Sequence, residues 1–197
     1  AARFEVGDIT RYRAGRRFDV ITSLGNTLAY LHADDELDAA CATIAGHSTP
    51  ETLVVLQSLV TPPPVGHAEQ TVQLPGGKAR VVIDTDWDQE THLVTTTRTW
   101  SLPEAHPDDV VTDKFARRVR SLDEFQAALD RAGLEVVETC DDPRRRGEPA
   151  RGPVAYIVAR GAGATPSPEG ATWQRDDRQN AGCQGADCPS ETERRAP

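Results

Sequence analysis

The repeat of apolar positions changes several times along the chain, and each change marks an element. Phe18 to Ser23 is apolar and β-branched with no helical repeat, the pattern of a strand buried on both faces of a parallel sheet. Gly25 interrupts it, and Asn26 to Leu31 read as a loop. Asp34, Asp35 and Glu36 then set three negative charges where the positive end of a helix dipole would lie. Leu37, Cys41, Ile44 and Ala45 follow at helical spacing, and Gly46 with Pro50 supplies the stop. Thr52 to Leu56 is a second apolar run. Strand, helix and strand in this order predict a βαβ crossover, and open α/β sheets bind ligands at the carboxyl ends of their strands. Ser23 to Tyr30 is thereby placed at the edge of a site. Asn26 serves equally well as a turn residue bonding its own backbone, Tyr30 and Leu31 as packing, and His32 as a helix cap.

The flanking segments read differently. Arg3 to Asp8 is short and mixed, consistent with an edge strand, although Gly7-Asp8 is also a common turn pair. Gln70 to Leu74, Ala79 to Thr85 and Thr91 to Trp100 alternate or are β-branched, separated by Pro75-Gly76-Gly77 and by Asp86 to Glu90. With Phe115 to Arg120 they predict an antiparallel meander with one wet face. Ser121-Leu122-Asp123-Glu124 is a capping box, ahead of a helix whose apolar face is Leu122, Phe125, Leu129 and Ala132 and whose end is Gly133. Leu134 to Cys140 and Val154 to Arg160 are two further strands, joined by a loop carrying Arg144, Arg145 and Arg146. From Gly161 onward the chain is small, polar and aperiodic, so disorder is expected there.

Composition narrows the function. Basic residues number 22 against 31 acidic, a net charge of −9, which argues against a protein that binds nucleic acid through its phosphates. No stretch is long and apolar enough to span a bilayer, and no charged-then-apolar leader opens the chain, so a soluble cytoplasmic protein is expected. The 197 residues include no methionine and begin Ala-Ala-Arg, which reads as a fragment or a start that omits upstream sequence. Cys41 and Cys140 fall at core positions, and Cys183 and Cys188 are spaced too widely, without a nearby histidine, for a zinc knuckle. No metal ligand set is expected.

Three segments carry a family resemblance. FDVITSLGNTLAYL at Phe18 to Leu31, GDI at Gly7 to Ile9 and SLDEFQAALDRAGLEVVE at Ser121 to Glu138 resemble, in order and spacing, the later part of class I S-adenosylmethionine-dependent methyltransferases. The wording LGNTLAYL is most similar to small-molecule enzymes of the glycine/sarcosine and amino-sugar N-methyltransferase type. The resemblance spans roughly Phe4 to Arg160 and implies an α/β, Rossmann-like sheet holding strands 3 to 7 of that fold's order 3-2-1-4-5-7-6. An incomplete methyltransferase domain at 1–160 is implied, with 66–120 as an antiparallel β insertion and 161–197 as a disordered tail.

The implied cofactor is S-adenosyl-L-methionine, with Asp8, Ile9, Ser23, Leu24 and Gly25 facing it. Asn26 and Tyr30 are the implied contacts to a small-molecule acceptor, an amine, and Tyr30 or His32 would take its proton. The insertion would shape the acceptor pocket, making His67, Trp87, His92, Arg98 and Trp100 candidates, though each is also an ordinary cross-strand residue. The glycine-rich loop and ribose-binding acid of the fold's first two strands should precede Phe4, so weak or absent cofactor binding by this chain alone is expected. Pro50-Glu51-Thr52 stands where the family usually has Pro-Gly-Gly. Two alternatives stay open: a non-catalytic half-domain that completes its sheet with a partner chain or second copy through an open edge, and another doubly wound nucleotide-binding enzyme.

Overall fold

The structure is a computed structural model that describes residues 2–75, 77–102, 106–144, 148 and 150–161. All of these fall within the unit Ala1–Ala164. Of the tail expected from Gly161, Gly161 itself ends a strand and the rest lies outside the described residues, as do Arg145, Arg146, Cys183, Cys188 and Gly76.

The predicted crossover is present. Strand β1 (Val20–Ser23) leads through a 3₁₀ turn (Thr27–Tyr30) to helix α1 (Asp34–Gly46) and then to β2 (Leu53–Leu59), and β1 and β2 pair in parallel with Ser23 opposite Leu56. Helix α1 is capped by its own third residue, since the Ala33 N–H donates to Glu36 Oε2 at 2.9 Å. His32 therefore does not cap it.

Four strands follow: β3 (Gly66–Leu74), β4 (Gly77–Asp88), β5 (Leu93–Leu102) and β6 (His106–Arg118), an antiparallel sheet in chain order. β3, β4 and β6 are longer than the runs read from the sequence, because cross-strand pairs such as His67 with Asp84 and Arg98 with Asp113 extend the ladder through polar residues, whereas β5 keeps its length and begins at Leu93. The run Asp86 to Glu90, read as a separator, is half strand: β4 continues to Asp88 before turning.

Helix α2 (Leu122–Arg131), β7 (Leu134–Cys140) and β8 (Val154–Gly161) complete the first sheet, ordered β1-β2-β8-β7 with β8 antiparallel to both neighbours. That order is 4-5-7-6 in the resembled fold. The capping box forms as read, with Glu124 N–H donating to Ser121 Oγ at 3.2 Å and Ser121 N–H to Glu124 Oε2 at 2.7 Å. Ser121→Ala is expected to cost about 1 kcal/mol, read from the shift of the urea midpoint.

Both helices cover one face of this mixed sheet. Leu37, Ala40, Cys41 and Ile44 of α1 and Phe125, Ala128 and Leu129 of α2 meet Val54, Leu56, Ala155, Ile157 and Ala159 of the strands. Burial pushes the Cys41 thiol up to about 12, so it is an inert core residue. A smaller cluster of Ala29, Leu59, Val94 and Val119 joins the two sheets. No helix among the described residues is long and apolar enough to cross a membrane.

Two expectations are corrected. Arg3 to Asp8 is not a strand: Phe4 and Val6 stand almost fully exposed, while Arg3, Glu5 and Gly7 turn toward a cleft beside β1. Without a ladder partner a stretch this short does not hold as sheet. The Phe18 run is not buried on both faces either. It pairs only from Val20, and burial alternates along it, with Val20 54% exposed and Ser23 buried, because both helices cover the same face of the sheet.

Candidate functional site at the carboxyl edge of the parallel pair

The loop leaving β1 is held by short-range geometry and by one long-range clasp. Gly25 and Asn26 adopt left-handed backbone, with φ of 74° and 60°, a conformation costless for glycine and tolerated by asparagine. The 3₁₀ turn follows, closed by Ala29 N–H to Asn26 O at 3.0 Å, and Thr27 Oγ1 donates to Leu24 O at 2.7 Å. Leu28 and Ala29 are fully buried and anchor the turn. The Gly25 N–H donates to Gln57 Oε1 at 2.7 Å, and Gln57 Nε2 donates to the Tyr156 hydroxyl at 3.2 Å. One carboxamide thus spans the ends of β1, β2 and β8.

The other end of the loop is gripped from β6 and the residues just after it. Arg120, whose side chain is 1% exposed, donates to Leu31 O at 2.6 Å and Ala33 O at 2.8 Å, with Asp34 Oδ1 at 3.5 Å. Arg118 donates to His32 O at 2.6 Å and pairs with Asp34 at 3.1 Å. The His32 ring adds a bond from Nε2 to Ala116 O at 3.1 Å. A carbonyl can only accept, so Nε2 carries the proton and Nδ1 is the basic nitrogen of the neutral ring.

Three buried side-chain oxygens at this edge have no hydrogen-bond partner: Ser23 Oγ, Asn26 Oδ1 and Ser58 Oγ. Buried polar atoms are nearly always satisfied, so their position at the mouth of a parallel pair marks a place for a bound molecule or water. Beside β1 lies a cleft of about 850 Å³ walled by Ile9, Phe18, Ile21, Ser23, Ile44 and His47.

The structure brings some of the sequence candidates together and separates others. Ile9 and Ser23 line the cleft. Asp8 turns to its own chain: Thr10 donates to its carboxylate from both Oγ1 and N–H and Arg11 pairs with it, and these contacts hold its carboxyl below the usual range. Leu24, Gly25 and Asn26 form the loop tip. Tyr30 is half exposed, its ring 6.2 Å from that of Phe115 on β6. On the same face of the antiparallel sheet, Arg98 is bonded to Asp113 and lies 4.8 Å from the Phe115 centroid and 5.7 Å from that of Trp100. Tyr30 and Arg98 therefore meet at Phe115, and Trp100 joins them through Arg98. His67 is not, since it pairs with Asp84 on the opposite face, and His92 sits with Trp87 at the β4–β5 turn.

Gln57, Ser58, Arg118 and Arg120 were not singled out by the sequence reading. The signal for the first two was present: Gln57 and Ser58 are the polar residues in the otherwise apolar run Leu53 to Leu59. Nothing in Arg117-Arg118-Val119-Arg120 distinguishes a buried arginine from an exposed one.

Comparison of the whole fold decides its type. A S-adenosylmethionine-dependent methyltransferase from Clostridium acetobutylicum superposes with a TM-score of 0.70 at 12% identity, over 83% of this chain and 66% of that one. The fold is that of the class I S-adenosylmethionine-dependent methyltransferases. CalS10, an amino pentose methyltransferase from Micromonospora echinaspora involved in calicheamicin biosynthesis, superposes on this methyltransferase fold with a TM-score of 0.65 at 20% identity, over 78% of this chain and 63% of its own. In sequence, the chain is 36% identical over 56 residues to the dTDP-3-amino-3,4,6-trideoxy-alpha-D-glucopyranose N,N-dimethyltransferase of Streptomyces venezuelae, a match covering 28% of this chain and 24% of the relative. No protein-family profile matches. The chain thus spans just under two thirds of the length of these methyltransferase structures, and it resembles S-adenosylmethionine-dependent methyltransferases that act on small molecules.

Proposed function

We propose that this chain takes part in S-adenosylmethionine-dependent methyl transfer to the amine of a small molecule, with amino sugars the favoured acceptor class. The observation that carries the reading is the loop at the carboxyl edge of β1 and β2 in a methyltransferase fold, where Ser23 Oγ and Asn26 Oδ1 are buried without partners. The 56-residue match to an amino-sugar N,N-dimethyltransferase supports the amine.

The residues present fit the cofactor. Ile9 and Ile21 offer an apolar wall with Ser23 on it, and Ser23 Oγ and Asn26 Oδ1 are buried acceptors without partners. Bound there, S-adenosylmethionine would supply an electrophilic methyl group on a sulfonium sulfur. The protein's task is then to hold the acceptor nitrogen in line with that carbon. The gripped loop provides a rigid frame for this, with Asn26 and Tyr30 toward the acceptor and the Tyr30–Phe115 contact tying the loop to the antiparallel sheet of residues 66–120, which we assign to the acceptor side. Methylation adds a carbon to a neutral amine and leaves it one proton in excess. We assign receipt of that proton to His32, through Nδ1, with Tyr30 as its phenolate the other candidate.

Calorimetric titration with S-adenosylmethionine tests the reading, using this chain and one extended at its N-terminus to the length of the methyltransferase relatives. Weak or no binding to the first and firm binding to the second is the expected result; no binding to the second would overturn it. The outer edge of β1, uncovered by any strand among the described residues, favours a second reading in which another chain completes the sheet. A monodisperse monomer in sedimentation velocity would remove that reading.

A further inference from the structure

The residue that sets the site loop sits on neither the loop nor its own strand. Gly25 lies past the last pair of the β1–β2 ladder, which ends at Ser23 and Leu56, so its N–H has no strand partner. Gln57, the next residue along β2, supplies one at 2.7 Å. The carboxamide's orientation follows from chemistry: an N–H can only donate, so the atom facing Gly25 is Oε1, and Nε2 is left to face Tyr156, its direct cross-strand neighbour.

We infer that Gln57 is a positioning residue that holds Gly25 and Asn26 in their left-handed geometry through a Gly25–Gln57–Tyr156 clasp. A polar side chain in a half-buried strand is thereby explained, and so is a loop that keeps two consecutive left-handed residues, only one of them glycine. By fixing the backbone between Ser23 and Asn26, the clasp keeps Ser23 Oγ and Asn26 Oδ1 from collapsing onto nearby backbone donors and leaves them to accept from a bound N–H or O–H group. This last step rests on the methyl-transfer reading; the positioning itself does not.

Amide hydrogen exchange at Gly25, followed by NMR in the whole chain, separates the two. Gln57→Leu removes both contacts and should speed Gly25 exchange about five- to tenfold relative to the wild type, the size of one modest hydrogen bond. Gln57→Glu should restore it, because a carboxylate accepts from Gly25 N–H and from the Tyr156 hydroxyl. If Gln57→Leu does not fold, Tyr156→Phe, which loses only the outer anchor, should show a smaller increase of about twofold. Unchanged Gly25 exchange in the leucine variant, or in the phenylalanine variant where that is the one that folds, would overturn the inference, as would failure of glutamate to rescue. S-adenosylhomocysteine is the probe for the binding step: its shift of the Asn26 resonances should vanish in Gln57→Leu and return in Gln57→Glu. Loss of Gly25 protection, with no such shift in either the wild-type chain or its N-terminally extended form, would support the clasp while overturning the functional reading.

Discussion

Replacing Arg120 with alanine is expected to destabilise the folded chain by about 3–5 kcal/mol, through two lost charge-assisted hydrogen bonds and an unfilled volume. The side chain is 1% exposed, and its two short bonds go to carbonyls of the segment leading into α1. Burial lowers its pKa, but a guanidinium starts so high that it stays charged at any working pH. Its loss therefore removes a cation that stitches the loop to the end of β6. Arg120→Met is the informative partner variant: it fills the space and carries no charge to desolvate, so it should recover part of the loss. Arg118→Ala should cost less, about 1 kcal/mol, because its bond to His32 O and its pair with Asp34, which is 69% exposed, are both open to water. Urea unfolding of the three variants at one ionic strength checks the order. Equal stability for wild type and Arg120→Ala would show that the Arg120 bonds to the loop carry no net energy.

Leu129→Ala should cost about 2–5 kcal/mol. Leu129 is fully buried in the main core, where α2 packs on the mixed sheet beside Phe125 and Leu134. Truncation removes the transfer energy of the lost carbons and leaves a hole that a helix flanked by β7 and α1 cannot close. Leu122, at the start of the same apolar stripe, is only partly buried and should cost less when truncated. Thermal and urea unfolding would both register the difference, and a ranking with Leu122 the more costly would mean that α2 is rotated from the position described.

The parts of the fold legible in the sequence were those written in local chemistry. Apolar Val20 to Ser23, acidic Asp34 to Glu36 and the serine-to-glutamate box at Ser121 each announce an element boundary through residues within one turn of it. Phe4 and Val6 mislead for the same reason. Their alternation is that of a strand, but strand formation is decided by a neighbour, and none pairs with them. The site divides likewise. Gly25 and Asn26 could be named as loop residues because glycine breaks a strand and asparagine favours turns, and both stand in left-handed backbone. Gln57 and Arg120 were not, since their partners lie 32 and 89 residues away in the chain and only the assembled sheets bring them together. Arg98 and Trp100 could be named as candidates, yet which of the meander's polar residues share a face with Tyr30 depended on cross-strand register.

The central claim is that the carboxyl edge of β1 and β2 receives the methyl donor. Amide NMR of the chain with millimolar S-adenosylhomocysteine, a regime in which even weak sites respond, tests it most directly. The account predicts shifts concentrated at Ile9 and from Ser23 to Asn26, with His67 and Asp84 on the far face of the antiparallel sheet unmoved. Shifts centred elsewhere, or none from Ser23 to Asn26 at saturation, would contradict it.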